Sequence, residues 1–218
     1  MGRRVSEKTK KNRKMGEGTG KDYRPYITTS EFNSQGTTSV IRDWKTDRGV
    51  HCLSQGEMLW YYILRWDDEN IDIREQYPLD YGETVRIAEK MGFTPPKDRM
   101  TTDLLVTRSD GSYIAYSVKP DRDLGERQLQ LLCVEKQYWI KHGVPYKLIF
   151  KTDANRTLAT NIRLVTEFYD PNTVFDVISA VKHKIAIKEY SFPMETKMID
   201  NEALLGLLET SYEKSIIN

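Results

Sequence analysis

The stretch TTDLLVTRSDGSYIAYSVKP, residues 101–120, decides the fold. Two runs rich in β-branched, aliphatic and aromatic residues, Thr101–Thr107 and Ser112–Lys119, flank Ser109-Asp110-Gly111, and this turn composition predicts a β-hairpin. Loop length determines what the hairpin displays. With a two-residue Asp110-Gly111 loop, position 103 pairs with 118, and Asp103 and Lys119 point to opposite sides of the sheet. With a three-residue loop, 103 pairs with 117, and Asp103, Ser117 and Lys119 share one face. Asp-Gly suits the shorter turn as well. The longer loop wants a left-handed residue in its last position, where Gly111 stands, so the three-residue form with a bulge at Gly111 is expected.

Upstream of the hairpin, Met58, Leu59, Tyr61, Tyr62, Ile63 and Trp66 repeat at helical spacing after Ser54. Ile71, Ile73 and Tyr77, up to Pro78, predict a strand, and Glu83–Met91 a short helix closed by Gly92. Downstream, Leu124–Lys141 predicts a long helix that stops at Gly143 and Pro145, and Tyr146–Lys151 a short strand. The order from 54 to 151 is helix, strand, helix, hairpin, helix, strand, which is the pattern of an α/β domain. Residues 23–53 mix Tyr23, Tyr26, Phe32 and Trp44 with small polar residues and are expected to pack against this domain as irregular or short-strand structure, giving a catalytic domain over 23–152. After Thr152 the pattern is helical, over about 155–168, 173–184 and 201–213. This makes 153–218 a small helical region, a reduced winged helix being one form for it. Leu204, Leu205, Leu207 and Leu208 form an apolar ridge that reads either as core or as a partner-docking surface.

The chain of 218 residues carries 33 Lys+Arg against 32 Asp+Glu, a net charge of +1. That average hides an asymmetry, because residues 1–22 hold eight bases and three acids and carry +5, leaving −4 for the rest. With almost no apolar content, 1–22 is expected to be a disordered basic arm. Its Arg3, Arg4, Lys8, Lys10, Lys11, Arg13 and Lys14 suit salt-dependent contacts to DNA phosphates. Contact with an acidic protein partner and a solubilising tail are the other readings of the arm. The two cysteines, Cys52 and Cys133, and the three histidines show no metal-ligand spacing, which argues for a reduced intracellular protein without structural zinc. No apolar run approaches the roughly 18 residues that span a bilayer, and the N-terminus lacks a signal-peptide core, so no membrane association is expected.

The residues that carry chemistry are Glu57, Asp103 and Lys119. Phosphodiester hydrolysis needs carboxylates to hold a metal and a cation to orient the nucleophile or steady developing charge. An Asp and a Lys on neighbouring strands supply the minimum. Asp103, flanked by Leu104 and Leu105, needs a compensating partner or ion if buried. Ser54-x-x-Glu57 also matches a helix capping box, a role that does not exclude metal binding. Lys119 alternatively reads as a surface lysine at a strand end. Arg74, Arg122 and Arg127 read either as phosphate contacts or as surface charges.

A Glu on a helix, then an Asp on a strand, then x-x-Lys on the partner strand, then a helix, resembles the PD-(D/E)xK restriction-endonuclease-like nucleases. Within them IREQYPL (Ile73–Leu79), TTDLLV (Thr101–Val106) and SVKP (Ser117–Pro120) are most similar to the TnsA family, endonuclease subunits of heteromeric cut-and-paste transposases. The resemblance implies a central mixed sheet flanked by helices as the architecture of the α/β domain. It implies an active site of Glu57, Asp103 and Lys119 around Mg²⁺, with Mn²⁺ able to substitute, the ligands being Asp103, Glu57 and the Val118 backbone carbonyl. Ser117 stands where the family usually has Gln or Glu, a weaker ligand. Glu135 on the following helix is, by position, an accessory acid. It further implies cleavage of the 5′ strand at double-stranded transposon ends, a TnsB-like transposase acting on the 3′ strand, a TnsC-like ATP-dependent regulator, and a cytoplasmic, nucleoid-associated location in a prokaryote. A stand-alone nuclease of the same fold, such as a restriction enzyme or junction resolvase, and a catalytically weak assembly adaptor are the alternatives.

Overall fold

Residues 5–31 and 38–208 are described in the computed structural model of the chain. Two compact units divide between Ala154 and Asn155. The first contains α1 (Glu7–Asn12), β1 (Ser39–Arg42), β2 (Gly49–Cys52), α2 (Gln55–Trp66), β3 (Asn70–Pro78), α3 (Tyr81–Lys90), β4 (Thr101–Arg108), β5 (Tyr113–Lys119), α4 (Glu126–Lys141) and β6 (Tyr146–Phe150). The second contains α5 (Arg156–Thr166), α6 (Val177–Ala186) and a helix over 201–208. No helix among the described residues is long and apolar enough to cross a membrane.

The central sheet has the order β3-β4-β5-β6, antiparallel except for the parallel β5–β6 pair. That parallel pair requires a crossover, which α4 supplies. On one face α3 and α4 bury Leu79, Ile87, Ala88, Leu105, Ala115, Val134, Tyr138 and Trp139 as one core. The other face is covered by α2, whose Trp60 indole donates to the Phe150 carbonyl. A four-stranded mixed sheet with helices on both faces is consistent with a restriction-endonuclease-like fold. Local caps set the helix starts: Asp80 Oδ1 accepts the Glu83 N–H at 2.7 Å, so α3 begins two residues ahead of the predicted Glu83.

The β4–β5 turn has the three-residue form. Leu104 pairs with Tyr116 and Thr107 with Tyr113, the Arg108 N–H donates to the Ser112 carbonyl, and Ser109-Asp110-Gly111 closes the loop with Gly111 at φ +81°. Glycine reaches that left-handed conformation without the Cβ penalty other residues pay.

Residues 5–22 depart from the expected disordered arm. Glu7–Asn12 is helical, capped by the Ser6 hydroxyl, and Lys10 is buried. Its ammonium donates to the Tyr26 carbonyl at 2.8 Å, pairs with Glu31 at 3.1 Å and lies 4.1 Å from the centre of the Tyr26 ring. The segment runs along the outer edge of β3: the Tyr26 N–H donates to the Gln76 carbonyl at 3.3 Å and the Tyr23 hydroxyl to the Glu75 carbonyl at 2.9 Å. Low apolar content argued for disorder, but a few aromatics and a fully paired lysine anchor the segment on an edge that otherwise leaves carbonyls unpaired. Arg3, Arg4, Phe32 and residues 209–213 lie outside the described residues.

In the second unit Ile162, Val165, Val181, Ile185, Met194, Ile199 and Leu204 form the interior. Asn161 is fully buried and ties residues 194–199 to α5 through bonds to the Met194 and Lys197 carbonyls and the Ile199 N–H. The described residues of this unit contain no strand, so no wing accompanies the helices there. The leucine ridge divides: Leu204 is core, Leu205 is exposed, and Leu207 and Leu208 are half-buried.

Candidate active site

Besides a register shift between Asn70 and Asp72, the β3–β4 ladder is interrupted at a second place, and the candidate residues converge on it. Glu75 pairs with Leu104 and Tyr77 with Thr102, while the intervening Gln76 and Asp103 are absent from the paired residues. Gln76 has φ +49° inside a strand, a left-handed conformation that costs a non-glycine residue about 1–2 kcal/mol. The break switches the side-chain phase on both strands. Leu105 faces α4, so regular alternation would aim Thr102 at the opposite face, yet Thr102 bonds Glu135 and Trp139 of α4. Tyr77 likewise packs on Trp139, whereas Glu75 meets Arg48 on the other side. At the break β4 parts from β5, and the Asp103 carboxylate occupies the Val118 N–H at 2.7 Å.

Asp103 is therefore reached from both faces. From the α2 side comes Glu57, in the first turn of a helix that approaches β5 closely: a Cβ on Gly56 would lie 3.1 Å from a Val118 methyl and from Lys151 Cβ. Glu57 is buried and does serve as a cap, accepting from the Leu53 N–H at 2.9 Å and the Ser54 hydroxyl at 2.9 Å. Its Oε2 also accepts from Gln76 Nε2 at 3.3 Å, and the same amide nitrogen lies 3.5 Å from Asp103 Oδ1. Lys119 Nζ sits 3.4 Å from Asp103 Oδ2. From the α4 side comes Glu135, whose carboxylate accepts from Ser117 Oγ and Thr102 Oγ1, both at 2.7 Å.

The electrostatics follow from this crowding. Burial, and next the Asp103 charge, raise the Glu57 carboxyl above its ordinary range. The same two causes push Glu135 up to about 7. Asp103 also raises Lys119 against the opposing effect of burial, keeping the ammonium protonated. Among the described residues no three His, Cys, Asp or Glu side chains are placed to hold a metal. The donor set is instead two carboxylates with hard oxygen atoms. Each carboxylate offers about four lone-pair sites, of which three are engaged on Glu57 and three on Asp103. One or two carboxylates completed by water is the way Mg²⁺ is usually bound, so these residues fit a hard divalent cation.

Comparison with known proteins bears on the same segment. Residues 67–151 match the family described as TnsA-like endonuclease N terminal. Over those residues the chain is similar to the TnsA-like family. It is also similar to the transposon Tn7 transposition protein TnsA of Escherichia coli, 37% identical over 155 residues, which is 67% of this chain and 57% of that protein's length. The chain thus spans little more than half the length of this relative.

Within the TnsA-like segment lie Gln76, Asp103, Ser117, Lys119 and Glu135, while Glu57 precedes it on α2. The expectation that Asp103, Ser117 and Lys119 share a face needs correction. Their register is the expected one, but Asp103 stands at the phase break and meets Lys119, while Ser117 turns to Glu135. The other arginines have protein partners. Arg74 is buried against the Tyr77 and Tyr113 rings, Arg122 pairs with Asp153, and Arg127 donates to the Thr94 and Pro95 carbonyls. Of the basic arm, Lys8, Lys11, Arg13 and Lys14 are exposed, but Lys10 is committed to Tyr26 and Glu31 and is unavailable to phosphate. Gln76 escaped the sequence reading, although Arg74-Glu75-Gln76, three polar residues in a row in an apolar strand, marked the place.

Proposed function

We propose that this chain is the endonuclease subunit of a multi-subunit transposase and hydrolyses the 5′ strand at transposon ends. The observation that carries this reading is the meeting of Glu57, Asp103 and Lys119 at the break between β4 and β5, with Asp103 and Lys119 inside the TnsA-like segment. Glu57 and Asp103, with the Val118 carbonyl, would hold the cofactor, for which the oxygen donors suit Mg²⁺ or Mn²⁺. When bound, such an ion polarises the scissile phosphate and lowers the pKa of a coordinated water. Lys119, its ammonium favoured by the Asp103 charge, orients the attacking water and stabilises charge on the phosphorane oxygens. Asp103 holds the Lys119 ammonium in place and, through the Val118 N–H, fixes the end of β5. Ser117 and Glu135 bond to each other beneath this centre and support it.

The exposed Lys8, Lys11, Arg13 and Lys14 add salt-dependent attraction to DNA. The near-neutral total charge leaves most of the affinity to partners, a TnsB-like transposase and a TnsC-like regulator, with the assembly acting on DNA in the prokaryotic cytoplasm. The test is Asp103→Ala, assayed on transposon-end DNA with those partners. Nicking of the 5′ strand is expected to vanish while 3′-strand processing continues and the far-ultraviolet circular dichroism is unchanged. Retained 5′ nicking at the wild-type rate refutes the assignment.

A further inference from the structure

Gln76 is the one buried, left-handed non-glycine residue within a strand among the described residues, and its side chain ends between the two carboxylates of the candidate site. Its orientation is fixed at both ends. The amide oxygen accepts from the Thr101 hydroxyl at 2.9 Å, which leaves the NH₂ group to face Glu57 Oε2 at 3.3 Å and Asp103 Oδ1 at 3.5 Å. An amide has two N–H donors, one for each carboxylate. The backbone conformation has its own anchor, because the Gln76 carbonyl, turned out of the β3–β4 ladder, accepts from the Tyr26 N–H. Nothing in packing alone calls for a glutamine here. An apolar side chain of similar length would fill the space without donors aimed at two acids.

We propose that Gln76 is a positioning residue that bridges Glu57 and Asp103 with its amide donors and holds the pair convergent for a divalent cation. This rests on the metal-dependent nuclease reading of the site. The bridge is neutral, so it organises two anions without competing for them as a lysine would. Partners that orient metal ligands in this way typically contribute 10- to 100-fold to metal affinity.

The test uses Mn²⁺ binding to the full chain without DNA, followed by the electron paramagnetic resonance of free Mn²⁺, with thermal melts in the presence and absence of the ion. Gln76→Met keeps the length and removes both donors, and is expected to weaken Mn²⁺ binding at least 10-fold. Gln76→Glu is nearly isosteric but puts a third carboxylate between the other two. It is expected to lower the melting temperature without ion and to show a larger Mn²⁺-induced rise than wild type. A packing role predicts the reverse: Gln76→Met tolerated, and Gln76→Glu equally harmful with and without Mn²⁺. If wild type binds Mn²⁺, Asp103→Ala does not, and Gln76→Met binds as wild type does, the positioning role is overturned while the nuclease reading stands. Should Gln76→Met fail to fold, the ion dependence of the Gln76→Glu melts decides alone. If wild type itself shows no binding lost in Asp103→Ala, the metal site is refuted and this role with it.

Discussion

Glu135→Gln isolates the cost of a buried charge next to the candidate site. Glu135 is 4% exposed, accepts from Ser117 and Thr102, and has its carboxyl pushed up to about 7 by burial and by the Asp103 charge. In the unfolded chain the same group titrates near its ordinary value of 4.5. A folded-state value above the unfolded one means that the native state holds the proton more tightly. The resulting stabilisation is complete below about pH 4.5 and is lost as pH rises through about 7. At about 1.4 kcal/mol per unit, linkage gives a loss of about 2.5 kcal/mol between roughly pH 5 and pH 8. The glutamine is neutral at both. Its stability relative to wild type should therefore improve by about 2.5 kcal/mol between those conditions, whatever fixed cost the amide incurs in rearranging the two hydroxyl partners. Urea titrations followed by tryptophan emission suit the measurement, because Trp44, Trp60, Trp66 and Trp139 all lie in the first unit. A difference between wild type and variant that stays constant within about 0.5 kcal/mol across this range refutes the picture of a carboxyl held neutral by its surroundings.

Lys10→Met should cost about 3 kcal/mol by leaving the buried Glu31 carboxylate without its cation, and limited proteolysis should open residues 5–31, whereas the exposed Lys8→Gln leaves the melting temperature unchanged. Gly111→Ala should lower stability by about 1 kcal/mol through backbone conformation alone, since no atom lies within 4 Å of the added Cβ; chemical denaturation measures it, and Gly111→Asn should recover part of the loss.

The hairpin was legible because loop length, turn composition and side-chain period are local properties. Gly111 alone selected between two registers, and the paired strands follow the one it favours. The long helices were legible for the same reason, with limits moved by caps such as Asp80 before α3. Glu57 and Asp103 were legible as residues but not as a geometry. What brings them together is a simultaneous break in two strands at Gln76 and Asp103, and a pattern of period two carries no sign of a change of phase shared by both partners. The role of Lys10 was hidden differently. Composition averages over a segment, and one lysine with a carbonyl, a carboxylate and an aromatic ring waiting for it contradicts the average.

The segment that covers the edge of β3 also imposes an order on synthesis. Tyr23 precedes its acceptor carbonyl on Glu75 by 52 residues. At about 5–20 residues per second, the segment leaves the ribosome several seconds before its docking strand exists. Its aromatics wait through that interval next to the +5 balance of residues 1–22, a charge of the kind that opposes association.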